Sequence, residues 1–543
     1  MLTQVKIILV SITSFIVLAC QGLCAQNSLS KYAIYFKDKQ AHSFDPFTYF
    51  DTKAIERRLA NNYSLYHPSD WPVNKSYIEE ISEIADSICG SSRWMNAAFI
   101  IASEDQMEQI NAFPFVKDIA IMKTYPIPLA MVNTPVPEPF EELTIEDGEL
   151  LISQTQRMQG SLYAERDIDG KNIRIAIFDA GFPSVDIHPA FEHIRKENRI
   201  IKAWDFLKNR DHVYGFSSHG TMVLSCIAGV LDNNNLDNSP TKMGLATGAE
   251  FLLARTESGI FEPYSEEENW LAAAEWADKN GAHIINSSLG YTYHRYFPKD
   301  MDGSKSLVAK AANMAASKGI LVINAAGNDG TGNWKYMNTP ADADSVLAVG
   351  GTDAETNFHI PFSSYGPTAD MRLKPNVCAY GYALVAGKRG TTIAQGTSFS
   401  SPLVAGFAAC AWQTRPTMTN MQLFSEIERS GELYPYFDYA HGYGVPQAGH
   451  FVKRLKGNIK PTFRLITAEE EIRVMINKTY FENEKTIQTK MLYYHIESPQ
   501  GHLETYYLLS VNQYDVLKLS RNAFSSGYVL RIHFDGYTEE CNF

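Results

Sequence analysis

Three short segments of this chain place a carboxylate, an imidazole and a hydroxyl beside glycine or other small residues. Asp179 lies in IAIFDAGFPSVDIHP, His219 in SSHGTMVLSCIAG and Ser398 in GTSFSSP. A serine hydroxyl becomes an effective nucleophile when a neutral imidazole takes its proton, and a carboxylate holds that imidazole in one tautomer. These residue types predict attack by Ser398, with His219 as general base and then general acid, and Asp179 as its orienting group.

Along the chain the three residues follow the order Asp, His, Ser, which is the order in subtilisin and differs from that in chymotrypsin and the α/β-hydrolases. With the segments quoted, the chain resembles the subtilisin-like serine proteases, or subtilases, from about Leu150 to Ala448. The resemblance implies a serine endopeptidase that hydrolyses protein or peptide substrates through an acyl-enzyme on Ser398. It also implies synthesis as an autoprocessed precursor.

A fourth segment, ILVINAAGNDG, is typical of a buried strand, Ile320 to Ala325, that runs into a Gly-Asn turn. Amide hydrolysis needs donors aimed at the oxyanion that develops in the tetrahedral intermediate. In this segment Asn328 matches the side-chain donor of the family's oxyanion hole. The backbone N–H of Ser398, at a helix N-terminus, would be the second donor.

Two further segments resemble the family's substrate-binding parts. GAHIINSSLG matches the strand whose edge pairs with the substrate backbone, which is recognition by strand addition. By resemblance, Ala325-Ala326-Gly327 in the segment ILVINAAGNDG would form one wall of the S1 pocket, and the segment around Asn338 would form its floor. No acidic residue is evident at that floor, although a surface loop could supply one, so we expect small or polar-to-apolar P1 residues rather than a strict preference for Arg or Lys. The predicted substrate-binding residues are Ser288, Leu289 and Gly290 of the edge, and Ala325, Ala326 and Gly327 of the wall.

Five positions depart from the family pattern. Ala180 stands where Thr or Ser is usual, Ser218 replaces Gly before the histidine, Met222 replaces a frequent second His, and Phe399-Ser400 replaces Met-Ala. None removes a catalytic atom, but the missing hydroxyl at position 180 predicts looser orientation of Asp179. Two other functions therefore stay open: a catalytically silent relative that serves as a binding module, and an esterase for small substrates.

Residues 151–456 alternate apolar strands with helices, which predicts an α/β domain. Its architecture would be a subtilisin-like parallel sheet with helices on both faces. The candidate catalytic residues would lie at strand ends, where open α/β sheets place their ligand sites.

Residues 26–130 have a pattern of their own, which predicts a small α+β domain. By resemblance this is a subtilase propeptide, which assists folding and then acts as an intramolecular inhibitor; an unrelated accessory domain is the alternative. Residues 131–150 are rich in proline and acid and predict an exposed linker. We expect maturation cuts between Thr124 and Leu150.

Residues 457–543 contain alternating segments such as TFRLITA and YVLRIHFDGY, which predict a small antiparallel β domain, sandwich-like in form. It could stabilise the protease by packing on it, or serve in attachment, sorting or target binding. The sequence favours the first role without excluding the others.

Residues 1–25 predict an export signal, because Lys6 precedes an apolar run from Ile7 to Ala19 and small residues follow. The protein would then be secreted, periplasmic or on the cell surface; the alternative is a lipoprotein anchored to a membrane through Cys20. A net charge of −13 argues against nucleic acid as a partner. Five cysteines remain after Cys24, too few and too scattered for a disulfide framework.

No cofactor is required for the predicted chemistry, and no metal ligand is assigned. Family members often bind calcium in loops, and the polar stretch Leu231 to Pro240 is a candidate loop. Because Asn and Asp clusters are common in turns without metal, calcium stays unassigned there. His188 and His193 lack the Cys or acidic partners of a zinc site and are predicted to be structural or solvated.

Overall fold

The computed structural model describes residues 29–39, 44–122, 145–231, 241–258, 264–292, 295–356, 358–452, 460–477, 490–512 and 515–543. The predicted signal with Cys20, residues 131–144 of the predicted linker, and residues 232–240 of the candidate calcium loop lie outside these ranges. The chain divides into two compact units. One contains residues 1–46 and 66–127, and the other contains residues 47–65 and 128–543.

The smaller unit is an antiparallel sheet covered by helices, in agreement with the predicted α+β class. Its four strands are ordered β2-β3-β1-β4. Ile34, Ile100, Met107 and Ile110 share one apolar core. The elements of the N-terminal region are β1 (Ser30–Phe36), α1 (Pro46–Tyr49), α2 (Thr52–Ala60), α3 (Lys75–Ser82), β2 (Ser87–Ser92), β3 (Ala97–Ala102), α4 (Glu104–Asn111) and β4 (Val116–Met122).

The structure differs from the predicted domain of residues 26–130 in one segment. Phe47–Leu65, which carries α2, belongs to the larger unit. The reason is that Arg57 and Arg58 are buried there and form ion pairs with Asp278. Sequence periodicity predicts an amphipathic helix but does not say which core it covers.

After the segment Phe47–Leu65, the described part of the larger unit continues with α5, inside which the predicted boundary at residue 150 falls. Gln154 fixes this helix, because its amide donates to the Met243 carbonyl (2.6 Å) and accepts from the Leu384 N–H (3.0 Å). Its elements up to the C-terminal domain are α5 (Ile145–Gln156), α6 (Ser161–Ala164), β5 (Arg174–Asp179), α7 (Glu192–Lys196), β6 (Ile200–Asp205), α8 (His219–Ala228), β7 (Val230–Leu231), β8 (Thr241–Lys242), β9 (Glu250–Arg255), α9 (Ser265–Lys279), β10 (Ile284–Ser287), α10 (Leu307–Ser317), β11 (Leu321–Ala325), β12 (Val346–Thr352), β13 (Val377–Tyr380), β14 (Tyr382–Ala386), β15 (Thr391–Gln395), α11 (Thr397–Thr414), α12 (Asn420–Arg429) and α13 (Gly449–Val452).

A seven-stranded sheet in the order β13-β12-β11-β10-β5-β9-β6 forms the centre of this unit. Every neighbouring pair is parallel. All residues of β5, β10 and β11 are buried, as expected for strands covered on both faces. Helices α8 and α11 contact each other over the sheet, and α9 contacts α10. The predicted α/β architecture is confirmed.

The C-terminal strands form two antiparallel sheets, in the orders β16-β17-β20 and β19-β18-β21-β22. Phe463 and Val474 of one sheet share a core with Leu492, Ile532 and Phe534 of the other. This arrangement confirms the predicted antiparallel β domain. Its strands are β16 (Phe463–Thr467), β17 (Glu471–Ile476), β18 (Lys490–Glu497), β19 (Leu503–Val511), β20 (Val516–Ser520), β21 (Val529–Phe534) and β22 (Tyr537–Asn542).

The C-terminal domain packs on the rest of the larger unit through aromatic side chains. His495 Nδ1 donates to the Phe437 carbonyl (2.5 Å), and its ring stacks on Tyr436 with centroids 5.1 Å apart. Leu503 shares an apolar cluster with Phe437 and Tyr439. Packing of this kind supports a stabilising role for the domain.

Among the described residues, Cys226, Cys378 and Cys410 are free thiols buried in the main core, and Cys89 and Cys541 are free as well. Stability in this part of the chain therefore comes from packing. Helices long and apolar enough to cross a membrane are absent from the described ranges.

We predict that the contact through His495 weakens in acid. Burial and the Arg531 charge lower the pKa of His495 from 6.5 to about 4, although the hydrogen bond to Phe437 acts in the opposite direction. The unfolded chain then binds the proton more readily, so stability falls as the pH drops from about 6.5 towards about 4, by ~3 kcal/mol. Urea unfolding of the Ser398→Ala protein at several pH values measures this loss.

His495→Gln should flatten that pH dependence relative to the parent protein, because its side chain does not titrate. His502→Gln, an exposed change in the same domain, serves as the matched control. An unchanged pH slope in His495→Gln would contradict the prediction.

Candidate active site

The candidate residues converge at the carboxyl ends of three neighbouring central strands. Ser287, the last residue of β10, pairs with Phe178 of β5 and with Asn324 of β11. The next residues along the chain are Asp179 after Phe178, Ser288 after Ser287 and Ala325 after Asn324. These three residues therefore lie side by side at one edge of the sheet. Open α/β sheets form their ligand sites at this edge.

Asp179 and His219 form a hydrogen-bonded pair. His219 Nδ1 lies 2.9 and 3.0 Å from the two carboxylate oxygens of Asp179, which is fully buried. The Ala180 N–H also donates to the carboxylate (2.7 Å), so a backbone donor holds Asp179 although the family's hydroxyl is missing. A Cβ on Gly220 would lie 2.4 Å from the Gly181 carbonyl oxygen, so only glycine lets this helix approach the strand so closely.

Two departures from the family pattern leave this arrangement unstrained. Ser218, before the histidine, has φ −77° and ψ −2°, a conformation open to any L residue. Met222 lies in the core with 3% of its surface exposed. Neither substitution displaces His219 from Asp179.

The environment of His219 shifts its pKa upward. Burial lowers the pKa of the imidazole, but the Asp179 charge and hydrogen bond outweigh it, so the net shift is above 6.5. A neighbouring carboxylate stabilises the imidazolium that forms when a general base takes a proton. The pair is therefore suited to accept a proton from an adjacent hydroxyl.

Ser398 is the second residue of α11 and lies against β10. Its hydroxyl donates to the Ser288 carbonyl (3.3 Å), and the Ser288 hydroxyl donates back to the Ser398 carbonyl (2.9 Å). The ring of the next residue, Phe399, lies 5.7 Å from the His219 ring, which brings the serine's helix beside the histidine. Among the described contacts the Ser398 hydroxyl and the His219 imidazole share no hydrogen bond. Catalytic hydrogen bonds often form only when substrate binds.

Thr397 fixes the orientation of Asn328. Its N–H and its hydroxyl both donate to the Asn328 side-chain oxygen, each at 2.9 Å. The Asn328 Nδ2 group therefore points away from Thr397. A Cβ on Gly396 would lie 3.4 Å from that nitrogen and 3.7 Å from the Ser398 N, so the two predicted oxyanion donors flank one small space beside Gly396.

The predicted substrate edge, Ser288–Gly290, is fixed by a side chain of the neighbouring strand β11. Asn324 Nδ2 donates to the Leu289 carbonyl (2.9 Å). Within the described ranges, the backbone of Gly290 makes no hydrogen bond. An extended peptide could pair with this edge by strand addition.

Asn338 lies under both substrate-binding segments, as the predicted S1 floor requires. A Cβ on Gly290 would come 2.8 Å from Asn338, and one on Gly327 would come 2.7 Å from it. Asp329 forms a hydrogen bond with Asn338, and burial raises the pKa of Asp329 despite that bond. Asp329, in the loop after β11, is thus an acidic group of the kind that the sequence left open as a contribution from a surface loop.

Several supporting residues were not identified from the sequence. Ser401 donates to the Asn286 side chain (2.9 Å), which joins α11 to β10, and Arg255 donates to the Ala180 carbonyl (3.2 Å). Asn286 and Asn324 stand inside apolar strands, and buried polar residues require partners. That signal could have identified them as positioning groups.

Within the described part of the chain, clusters of three or more His, Cys, Asp and Glu suited to a metal ion are absent. His188 instead accepts a hydrogen bond from the Ala190 N–H (3.1 Å), a structural role.

Comparison with known proteins agrees with this geometry. Residues 170–444 match the model of the subtilase family, and residues 31–134 match that of the peptidase S8 propeptide domain of Bacteroidota. A thermostable alkaline protease of Halalkalibacterium halodurans is 31% identical over 288 residues, which are 52% of this chain and 68% of that protein. Subtilisin Savinase of Lederbergia lenta is 29% identical over 280 residues, 50% of this chain and 88% of that protein.

Alkaline elastase YaB of Bacillus sp. (strain YaB) is 28% identical over 294 residues, 52% of this chain and 67% of that protein. Among solved structures, fervidolysin from Fervidobacterium pennivorans, a keratinolytic enzyme related to subtilisin, superposes with a TM-score of 0.53 at 16% identity. The superposition covers 93% of this chain and 70% of fervidolysin. The chain therefore belongs to the subtilase family and is a subtilisin-like serine endopeptidase with an N-terminal propeptide domain.

Proposed function

We propose that this protein is an exported endopeptidase precursor that cuts peptide bonds with Asp179, His219 and Ser398. The observation that carries the proposal is the buried Asp179–His219 pair beside the N-terminus of the helix that bears Ser398. A binding module with no chemistry to perform would not need a buried carboxylate hydrogen-bonded to a partly exposed imidazole.

In the proposed mechanism, a substrate strand pairs with the edge Ser288–Gly290 and presents its scissile carbonyl to Ser398. His219 takes the hydroxyl proton as Ser398 attacks, while Asp179 stabilises the imidazolium. Asn328 Nδ2 and the Ser398 N–H donate to the oxyanion. His219 then protonates the leaving amine, and water hydrolyses the acyl-enzyme by the reverse proton path.

The S1 pocket in this proposal has Ala325, Ala326 and Gly327 as one wall and Asn338 as its floor. A floor amide suits small or polar-to-apolar P1 side chains, and Asp329 is hydrogen-bonded to that amide. A peptide library would test this preference. Strong selection for Arg or Lys at P1 would contradict it.

Maturation is proposed to occur by self-cleavage between Thr124 and Leu150, after export directed by residues 1–25. The described ranges contain part of α5 from this interval, and the rest lies outside them. The match of residues 31–134 to a propeptide model supports a precursor whose N-terminal domain acts on its own catalytic domain. Calcium binding stays outside the proposal.

Ser398→Ala tests the whole mechanism. We expect the unsubstituted protein to be shortened, to hydrolyse casein and to be labelled by a fluorophosphonate. The Ser398→Ala protein should keep its precursor length, remain unlabelled and lose about 10⁶-fold in turnover, the scale found in subtilisin itself. Mass spectrometry and a casein assay give the readouts.

The matched control is Ser400→Ala, which removes a neighbouring hydroxyl bonded to the Tyr380 carbonyl. This variant should stay active and be processed. Equal digestion of casein by the Ser398→Ala and unsubstituted proteins would refute the mechanism, and turnover of esters without turnover of protein would favour the esterase alternative.

Asp179→Asn should lower kcat by about 10⁴-fold, because the imidazole loses its orienting carboxylate. The base must be neutral, so kcat/KM rises with pH through the pKa of His219. Since the Asp179 charge raises that pKa against burial, its removal should move the acid limb of the profile to lower pH. The residual activity of the variant, measured against pH with a peptide substrate, checks both effects.

Asp211→Asn, an exposed change near the His219 segment, should leave the profile unchanged. An acid limb that stays in place or moves to higher pH in Asp179→Asn would contradict the assigned pair.

Asn328→Ala should lower kcat by about 100- to 1000-fold with little change in KM, as removal of this type of donor does in subtilisin. Gly396→Ala should also lower kcat more than it raises KM, because its methyl group would enter the space between the two donors. Thr397→Val, which removes one of the two hydrogen bonds holding Asn328, should give a smaller loss. Steady-state kinetics on one peptide substrate separates kcat from KM; a change confined to KM would argue against the oxyanion site.

A further inference from the structure

The segment Phe47–Leu65, which we call the latch segment, is part of the larger unit although the sequence on both sides of it belongs to the smaller one. Its helix α2 begins after Asp51, whose side chain accepts the Lys53 N–H. One side of this helix is exposed at Glu56 and Leu59, whereas Arg57 and Arg58 on the other side are buried.

A buried group of charges joins the latch segment to the larger unit. Arg57 and Arg58 both form ion pairs with Asp278, near the end of α9, and Asp278 is 1% exposed. Arg57 also donates to the backbone carbonyls of Lys318 (3.2 Å) and Ala282. Arg57 thus contacts the ends of both α9 and α10, and Arg58 contacts the end of α9.

Further polar contacts surround this group. Asp51 pairs with Arg174 (3.2 Å), and its N–H donates to the Lys279 carbonyl (2.9 Å). Lys318 is fully buried, and its Nζ donates to the Tyr63 hydroxyl (2.9 Å). Both ends of the latch segment are therefore fixed to the same surface.

Two glycines of the larger unit let the latch segment approach closely. A Cβ on Gly281 would lie 2.8 Å from the Lys53 Cβ, and one on Gly319 would lie 2.5 Å from the Asn61 amide nitrogen. Both glycines have positive φ, +75° and +90°, at the turns that follow α9 and α10. The surface fits the segment at backbone level as well as by charge.

The surface lies at the opposite edge of the central sheet from the active site. Arg174, which pairs with Asp51, is the first residue of β5, and Asp179 of the catalytic pair is the last. Five residue steps along a strand separate them by about 17 Å. Occupation of this surface by the latch segment therefore does not fill the substrate edge.

We propose that this surface is a permanent binding site for the latch segment, which keeps the N-terminal region attached to the catalytic domain after the chain is cut between residues 124 and 150. Loss of the segment would remove both ion-pair partners of the buried Asp278, and breaking a buried ion pair by removing one partner is strongly unfavourable. The inference extends the proposed maturation, but the binding site itself does not depend on catalysis.

The test uses the full-length Ser398→Ala protein, which cannot cut itself, with the recognition sequence of a viral cysteine protease inserted after Pro139. Complete cutting is verified on a denaturing gel, and the products are passed over a native size-exclusion column at successive dilutions. We expect the two fragments to elute together. Asp278→Asn, which removes the carboxylate that both arginines pair with, should release the N-terminal fragment at least about tenfold faster.

Glu56→Gln, on the exposed side of the same helix, is the matched control and should retain the fragment like the parent. Separation of the parent fragments on the column would overturn the proposal. Equal rates of fragment release from Asp278→Asn and Glu56→Gln would also overturn the proposal, because the smaller unit would then account for retention of the fragment. Since all proteins carry Ser398→Ala, these results do not depend on whether the protease mechanism is correct.

Hydrogen exchange on the uncut Ser398→Ala protein provides a second measurement, which decides the case if Asp278→Asn does not fold. The amides of α2 should exchange as slowly as those of α9, with which they share buried contacts. Exchange of α2 at the rate of α4, a helix of the smaller unit, would overturn the proposal.

Discussion

The hydrogen-bonded pair of Asp179 and His219 sets the geometry on which the rest of the active site depends. A buried carboxylate at the end of a central strand requires a cation or a strong donor close by, and the first residue of α8 supplies one. The glycine at position 220 allows the helix and the strand to come that close. Once this contact is fixed, α8 can pack against α11, which brings the helix bearing Ser398 alongside the imidazole.

The helix α11 is positioned by polar contacts at its first turns and by apolar burial along its length. Thr397 is bonded to Asn328, Ser398 to Ser288, and Ser401 to Asn286, so each of the first turns is joined to β10 or to the loop after β11. From Thr397 to Trp412 every residue is buried. Ser398, the candidate nucleophile in the first turn of this helix, is therefore held in place by its neighbours.

Much of the fold and the site could be predicted because the relevant signals are local. The segments around Asp179, His219 and Ser398 carry recognisable residue patterns, and the alternation of strands and helices indicates a parallel sheet covered on both faces. The location of Phe47–Leu65 could not be predicted, because helical periodicity identifies a buried face but not the surface that buries it. Likewise, the acidic Asp329 beside Asn338 depends on how a loop folds back, and the direction of the Ser398 hydroxyl depends on the distant carbonyl of Ser288.

The ion pairs of Arg57 and Arg58 with Asp278 join the segment Phe47–Leu65 to the catalytic domain. The N-terminal region and the catalytic domain therefore cannot be exchanged independently between related proteins. An N-terminal region borrowed from another subtilase would have to present two cations at the same helical spacing, or the recipient would need an uncharged residue at position 278. Substitutions on either side of this junction must therefore be compensated on the other. Sequence change in the two regions is thus coupled at the end of β5 opposite Asp179.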